Sequence, residues 1–281
     1  MLEKIDLSKS VDKETYKRVM EEEGERLGQL QRDCKAAGIP VIIVFEGMGA
    51  AGKGIQINRL IQSLDPRGFY VYASNESNEE ERMRPFLWRY WTKTPEKGRI
   101  AIFDRSWYRR VQVDRFDGET ADTELTDAFQ DILSFEKQLS DDGTVIIKLF
   151  LHISKEEQKK RFKKLEDSRE TAWRVTKRDW KRNKEYERYL KINEEMLENT
   201  DTEYAPWTII EAMDKDYAAM KILSAVSSRL AYELEKKRMK EAAPQEAETP
   251  IPSDRFSNGV LSGVDLTKDM DKDTYKKRID E

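Results

Sequence analysis

Five stretches of the chain are apolar almost without interruption: 40–46 (PVIIVFE), 69–73 (FYVYA), 99–104 (RIAIFD), 144–153 (TVIIKLFLHI) and 207–212 (WTIIEA). A strand with one wet face alternates apolar and polar positions, whereas a near-continuous run is expected of a parallel strand covered on both faces. Between these runs, apolar residues recur at helical spacing among charged ones. In 13–36 the stripe is Tyr16, Val19, Met20, Leu27, Leu30 and Cys34, and Gly38 and Pro40 end it. Strand alternating with helix predicts an α/β fold: a doubly wound parallel sheet of about five strands flanked by helices.

The pattern changes towards the end of the chain. Hydrophobic content falls after Leu234, and 241–262 reads as a proline-containing linker closing a domain of residues 1–240. The segment IDLSKSVDKETYKR (5–18) then recurs as VDLTKDMDKDTYKK (264–277), with eight of fourteen positions identical. Residues 263–281 are therefore expected to begin a second, truncated copy of the same domain.

Composition narrows the function classes. The 281 residues carry 51 Lys and Arg against 55 Asp and Glu, a net charge of −4, which excludes a generally basic nucleic-acid binder. No run approaches the roughly 18 apolar residues of a membrane span, and the charged amino terminus lacks a secretory apolar region. The single cysteine, Cys34, precludes an internal disulfide and fits a reducing cytoplasm.

The first candidate chemistry follows the first strand. Gly47-Met48-Gly49-Ala50-Ala51-Gly52-Lys53-Gly54 leads into the helical pattern IQINRLIQSL, and G-x-x-x-x-G-K is the Walker A spacing. Gly47, Gly49, Gly52 and Gly54 let backbone N–H groups approach phosphate oxygens, the helix amino terminus adds positive partial charge, and Lys53 supplies a point charge. The Ser or Thr that usually follows the lysine and holds magnesium is absent; Gly54 stands there. Asp104 closes an apolar strand in the Walker B manner, where a carboxylate can bind Mg2+ beside the phosphate loop, and Arg105 follows it. Arg105 is placed to neutralise charge on a transferring phosphoryl group.

Residues 155–200 offer no strand and read as long charged helices. Between Lys159 and Arg188 there are thirteen Lys and Arg and six Asp and Glu. Most such runs are solvated faces, but this one lies between the last two strands, where nucleotide kinases carry a helical lid. Trp173 and Trp180 are expected to pack on one side of a lid helix. Trp88, Arg89, Tyr90 and Trp91 form an aromatic-basic cluster; helix-on-sheet packing is the plain reading, and Arg89 is the candidate for a nucleotide or phosphate contact. Glu79, Glu80 and Glu81 read as an exposed helix start. His152 reads as a partly buried strand residue, so a phosphohistidine intermediate is not expected and transfer would be direct and in line.

Taken together, EGMGAAGKG (46–54), LDPRGF (64–69), EEERMRPFLWRYW (79–91), GRIAIFDRSWYRRV (98–111) and YAPWTIIEA (204–212) resemble the polyphosphate kinase 2 family, from about Tyr16 to Glu235. The repeat resembles its tandem members, the polyphosphate:AMP phosphotransferases. The resemblance implies a P-loop kinase-like fold and Mg2+-dependent transfer of a phosphoryl group between inorganic polyphosphate and AMP, ADP or ATP. It also implies a homo-oligomer and, in the intact protein, a second homologous domain. By resemblance Lys53, Asp104 and Arg105 are catalytic, Asp104 is the metal ligand, and Arg161, Arg169, Arg174, Lys177 and Arg178 are lid residues on the polyphosphate path.

One departure matters. The family's loop reads G-x-D-A-A-G-K-G, and Gly49 replaces that aspartate, which in the family helps hold magnesium. Loss of a metal carboxylate points to weak or absent chemistry in this half. The intact Lys53, Asp104 and Arg105 and the basic lid point the other way, with Glu46, Asp114 or another carboxylate as the replacement ligand. A non-catalytic, polyphosphate-binding or structural half of a tandem protein is the second reading. An ATP-dependent nucleoside monophosphate kinase is a third, which PFLWRYW and FDRSWY disfavour.

Overall fold

The structure, a computed structural model, describes residues 2–242, 264–265 and 267–280. In chain order the helices are α1 (Lys13–Ala36), α2 (Lys53–Ile61), α3 (Glu79–Arg82), α4 (Trp88–Trp91), α5 (Arg115–Asp117), α6 (Leu125–Asp141), α7 (Lys155–Glu166), α8 (Lys177–Lys184), α9 (Tyr186–Thr200), α10 (Lys215–Ala242) and α11 (Lys272–Asp280). The strands are β1 (Val41–Gly47), β2 (Phe69–Ala73), β3 (Ile100–Asp104), β4 (Val145–His152) and β5 (Trp207–Glu211). Each falls on one of the predicted apolar runs, β1 continuing one residue beyond its run to Gly47. All neighbouring strands are parallel, in the order β2-β3-β1-β4-β5.

Burial explains the pattern. Every residue of β1 and β4 is buried, because helices cover both faces of the sheet centre. Within β4 the apolar run hides a charge. Lys148 is fully buried, lies 2.9 Å from Glu136 Oε2, and donates to the Tyr108 hydroxyl and the Thr200 carbonyl. Pairing and hydrogen bonding of this kind let a charge remain in a core. β2 departs from the expectation of coverage on both faces. It is an edge strand, and Tyr70 and Val71 are 45% and 43% exposed.

Local signals set the helix boundaries. The Asp12 side chain accepts from the N–H groups of Glu14 and Thr15 and starts α1. The charged stretch after Leu234 stays helical as far as Ala242, so it is not linker there; the rest of the predicted linker, 243–262, lies outside the described residues. Chain contacts divide the molecule into residues 1–238 and 239–281. The repeated segments share their local bonds. Asp6 Oδ1 accepts from Ser8 N and Oγ at 3.0 and 2.6 Å, as Asp265 Oδ1 does from Thr267 N and Oγ1 at the same distances. Asp271 likewise caps α11 through Asp273 N and Thr274 N.

The strand order reverses direction at β1. The chain leaves β1 for the β2–β3 side and later crosses to β4 on the other side. In such sheets the ligand crevice lies beyond the carboxyl ends of the strands at this switch point. Phe45 pairs with Asp104 in register, so the ends of β1 and β3 lie side by side there.

Candidate active site

The loop after β1 has the shape of a phosphate cradle. Gly47 has φ +131°, and a Cβ there would stand 2.2 Å from the Leu151 carbonyl oxygen of β4, so only glycine fits. The Met48 N–H donates to that same oxygen at 2.9 Å and locks the loop onto the sheet. Ala50 is held at φ +56° and Gly52 at +102°. Gly52 is the N-cap of α2 and makes no side-chain cap bond, so the first N–H groups of α2 keep the orphan character that suits an anion.

Lys53 begins α2 and folds back under the loop. Its Nζ donates to the carbonyls of Gly47 and Met48 at 2.9 and 3.3 Å. Burial, with the neighbouring Arg105 charge, lowers its pKa to about 8 against the opposing pull of Asp104 and Glu46. Asp104 closes β3 beside the loop: a Cβ on Gly54 would lie 3.9 Å from its Oδ2. Arg105 takes φ +62°, which a side chain rarely adopts, and its N–H donates to the Phe45 carbonyl at 3.0 Å. This strained turn points the Arg105 side chain into the cleft bounded by Gly47, Gly49, Gln158 and Phe162.

The two other carboxylates considered as metal ligands are engaged elsewhere. Glu46 is buried and its Oε1 accepts from both Ser106 N and Oγ. Asp114 lies 2.9 Å from the Arg109 guanidinium. Among the described residues there is no group of three or more His, Cys, Asp or Glu able to hold a metal.

The lid candidates divide into two kinds. Arg169, Arg174 and Lys177 are exposed, with Arg174 lying over the Trp173 ring. Arg178 faces acidic side chains: Glu76 at 2.9 Å, Glu119 at 3.4 Å and Asp117 at 3.9 Å. Arg161 is turned inward, and all of its bonds go to protein groups, four of them backbone carbonyls. Arg89 is also turned inward, donating to Asn75 O and Ser77 Oγ and pairing with Glu81, so it braces the loop after β2. Glu81 is thereby half of a buried pair, and only Glu79 and Glu80 remain exposed. Trp173 and Trp180 do not share a helix face. Trp173 sits in a short 3-10 turn and is 73% exposed, while Trp180 in α8 packs edge-on against Phe162. His152 is buried at the end of β4.

Several residues of the cleft carry no sequence signal. Arg182 pairs with Asp117 at 2.6 Å across 65 positions. Gln158 reaches the Gly49 carbonyl at 3.1 Å, and Phe162 closes the cleft one helical turn further on. Their spacing on α7 with Arg161 puts them on one face, but only the docking of α7 says which face.

The chain as a whole is similar to known proteins. The family model described as polyphosphate kinase 2 matches residues 10–238. A polyphosphate:AMP phosphotransferase of Pseudomonas aeruginosa is 38% identical over 238 residues, covering 84% of this chain and 48% of that protein. An ADP-polyphosphate phosphotransferase 3 of Rhizobium meliloti is 32% identical over 232 residues, covering 80% and 82% respectively. The crystal structure of a polyphosphate kinase 2 from Arthrobacter aurescens is similar with a TM-score of 0.78 at 27% identity, covering 91% of each chain. The chain spans about half the length of the first of these relatives. Among the described residues no helix is long and apolar enough to cross a membrane.

Proposed function

The chain belongs to the polyphosphate kinase 2 family, and on that premise we propose that its phosphate loop takes part in phosphoryl transfer between inorganic polyphosphate and a nucleotide, AMP or ADP. The observation that carries this reading is the convergence of Lys53, Asp104 and Arg105 at the paired ends of β1 and β3, beneath a basic helical segment. Lys53 would bind phosphate oxygens from below. Arg105, already aimed into the cleft, would meet the charge of the transferring group. The exposed lid cations Arg169, Arg174 and Lys177 would attract the polyanion. The only histidine is buried, which favours direct transfer over a phosphohistidine.

Of the carboxylates near the loop, Glu46 is engaged by Ser106 and Asp179 by Thr176 and Arg182, and Asp104 is the candidate metal ligand. Mg2+ is commonly held by one or two carboxylates, with phosphate oxygens and water completing its octahedron, so the residues fit an ion that arrives with the phosphates. Such an ion would neutralise phosphate charge; Asp104 would orient it, and Lys53 and Arg105 would share the remaining charge.

A second reading is favoured by Gly49: the half binds polyphosphate and transfers weakly or not at all. In that reading chemistry belongs to a second copy of the domain beginning near Val264, a proposal supported by the matching Asp6–Ser8 and Asp265–Thr267 turns. The test is nucleotide formation from AMP and from ADP with long-chain polyphosphate and Mg2+, alongside polyphosphate binding. Product supports transfer by this half and identifies the acceptor. Binding without product supports the second reading, and absence of both rejects the proposal.

A further inference from the structure

Arg161 has all five of its N–H donors occupied. Nε donates to Glu157 Oε1 at 2.7 Å. Nη1 donates to the carbonyls of Ala50 and Ala51 at 3.2 and 3.1 Å, and Nη2 to those of Ala212 and Met213 at 2.8 and 2.9 Å. One planar fork thus ties the lid's root helix to the phosphate loop and to the exit of β5. Lysine offers three donors on a flexible stem and cannot reproduce this. Gln158, one turn earlier on α7, donates to the Gly49 carbonyl and accepts from Asn183 of α8. Three successive loop carbonyls, of residues 49, 50 and 51, are therefore held by α7.

The loop needs such support. Ala50 sits at φ +56°, a conformation costing a non-glycine residue about 1 kcal/mol or more, and it persists only where the surroundings impose it. A peptide unit is planar, with its C=O and N–H directed oppositely. Drawing the Ala51 carbonyl towards Arg161 turns the Gly52 N–H away from α7, at the start of the helix that would receive phosphate.

We propose that Arg161 is a positioning residue: it holds the phosphate loop in its binding shape through the carbonyls of Ala50 and Ala51, and does not itself contact phosphate. This departs from its assignment to the polyphosphate path, and it rests on the loop being a phosphate site. It also makes the first part of α7 a fixed wall, so that any closing movement of the lid begins beyond Phe162.

Inorganic triphosphate binding to the full chain, measured by calorimetry with Arg161→Lys and Arg161→Gln, tests this. Displacement by about an ångström is enough to cost tenfold or more. The expected result is that both variants, folded by circular dichroism, bind about tenfold more weakly than the parent, with lysine no better than glutamine. An Arg161→Lys variant within about threefold of the parent means that charge alone matters, and overturns the proposal. Lower melting temperatures with parent-like binding at a temperature where both variants are folded reduce Arg161 to a structural role and overturn it too. If neither variant folds, Gln158→Ala decides: a several-fold loss supports the clamp, and unchanged binding refutes it. A parent chain that binds no triphosphate refutes the phosphate-loop reading and this proposal together, whereas parent binding matched by Arg161→Lys refutes this proposal alone.

Discussion

The Glu46 carboxylate accepts both the N–H and the hydroxyl of Ser106 through one oxygen, at 2.7 and 2.9 Å, inside the core. This bond pair ties the end of β1 to the turn that leaves β3, and so fixes Asp104 and Arg105 against the phosphate loop. Burial pushes the Glu46 pKa up, and the nearby Lys53 charge and the Ser106 bonds pull it down. Ser106→Ala removes one donor to a buried acid. The expected cost is about 1–3 kcal/mol, seen as a melting temperature lower by roughly 2–4 °C per kcal/mol. A variant that melts with the parent would show that the backbone N–H alone satisfies Glu46.

If the loop binds phosphate, Lys53 should make that binding sensitive to alkali. Its folded pKa of about 8 lies below the ordinary 10.5, chiefly because it is buried. Charging it in the folded chain is therefore costly below pH 8, and folding stability from this group rises as pH increases from about 8 towards 10.5. Ligand binding has the opposite sign, because phosphate needs the charged form. Triphosphate affinity should fall as pH rises above 8, by up to about tenfold per unit until the bound-state pKa is passed. Lys53→Met should bind weakly throughout and lose this pH dependence; a parent curve flat from pH 7 to 10 would contradict it.

The sheet was legible because four of its strands are largely buried, and burial on both faces writes itself as an unbroken apolar run. β2 shows the limit: FYVYA is an equally unbroken apolar run, yet Tyr70 and Val71 are exposed at the sheet edge. An edge is a property of strand order, which no single run contains. The loop was legible as a strand–turn–helix from its glycine spacing, whereas the need for glycine at 47, set by the Leu151 carbonyl of the neighbouring strand, was not. The basic segment between β4 and β5 was legible only as net charge. Nothing in a basic run distinguishes Arg161, turned to four carbonyls, from Arg169, exposed to solvent. The Arg182–Asp117 pair joins residues 65 apart and needed the fold to bring them together.

His152 should govern part of the acid sensitivity. Burial lowers its pKa to about 4 from 6.5, opposed by the Glu194 charge. Between these values the unfolded chain binds a proton that the folded chain does not, so stability is complete above pH 6.5 and falls as pH drops to 4. The loss from this group approaches about 3 kcal/mol. His152→Gln should flatten the stability curve across that window when denaturant midpoints are compared at pH 7 and pH 4.5. An unchanged slope would assign the acid sensitivity to other groups.

Gly49 is the position where restoration is most informative. A Cβ built there lies 3.3 Å from Phe162 Cζ and 3.4 Å from Gln158 Nε2, tight contacts that a shift of a few tenths of an ångström relieves. Gly49 is not among the residues with positive φ, so a side chain brings no backbone strain. Gly49→Asp should therefore fold, with a stability loss of about 1 kcal/mol from the added crowding. Its carboxylate would add an acidic group to the cleft that Gly49 and Arg105 line. Since one group stabilising developing charge is worth on the order of 10²-fold, Gly49→Asp should raise Mg2+-dependent nucleotide formation from AMP or ADP by tenfold or more. Gly49→Asn, similar in size but neutral, should fold equally well and gain little. If Gly49→Asp folds and is no more active than the parent, the missing carboxylate does not limit transfer. Equal gains from aspartate and asparagine would instead assign the effect to loop shape.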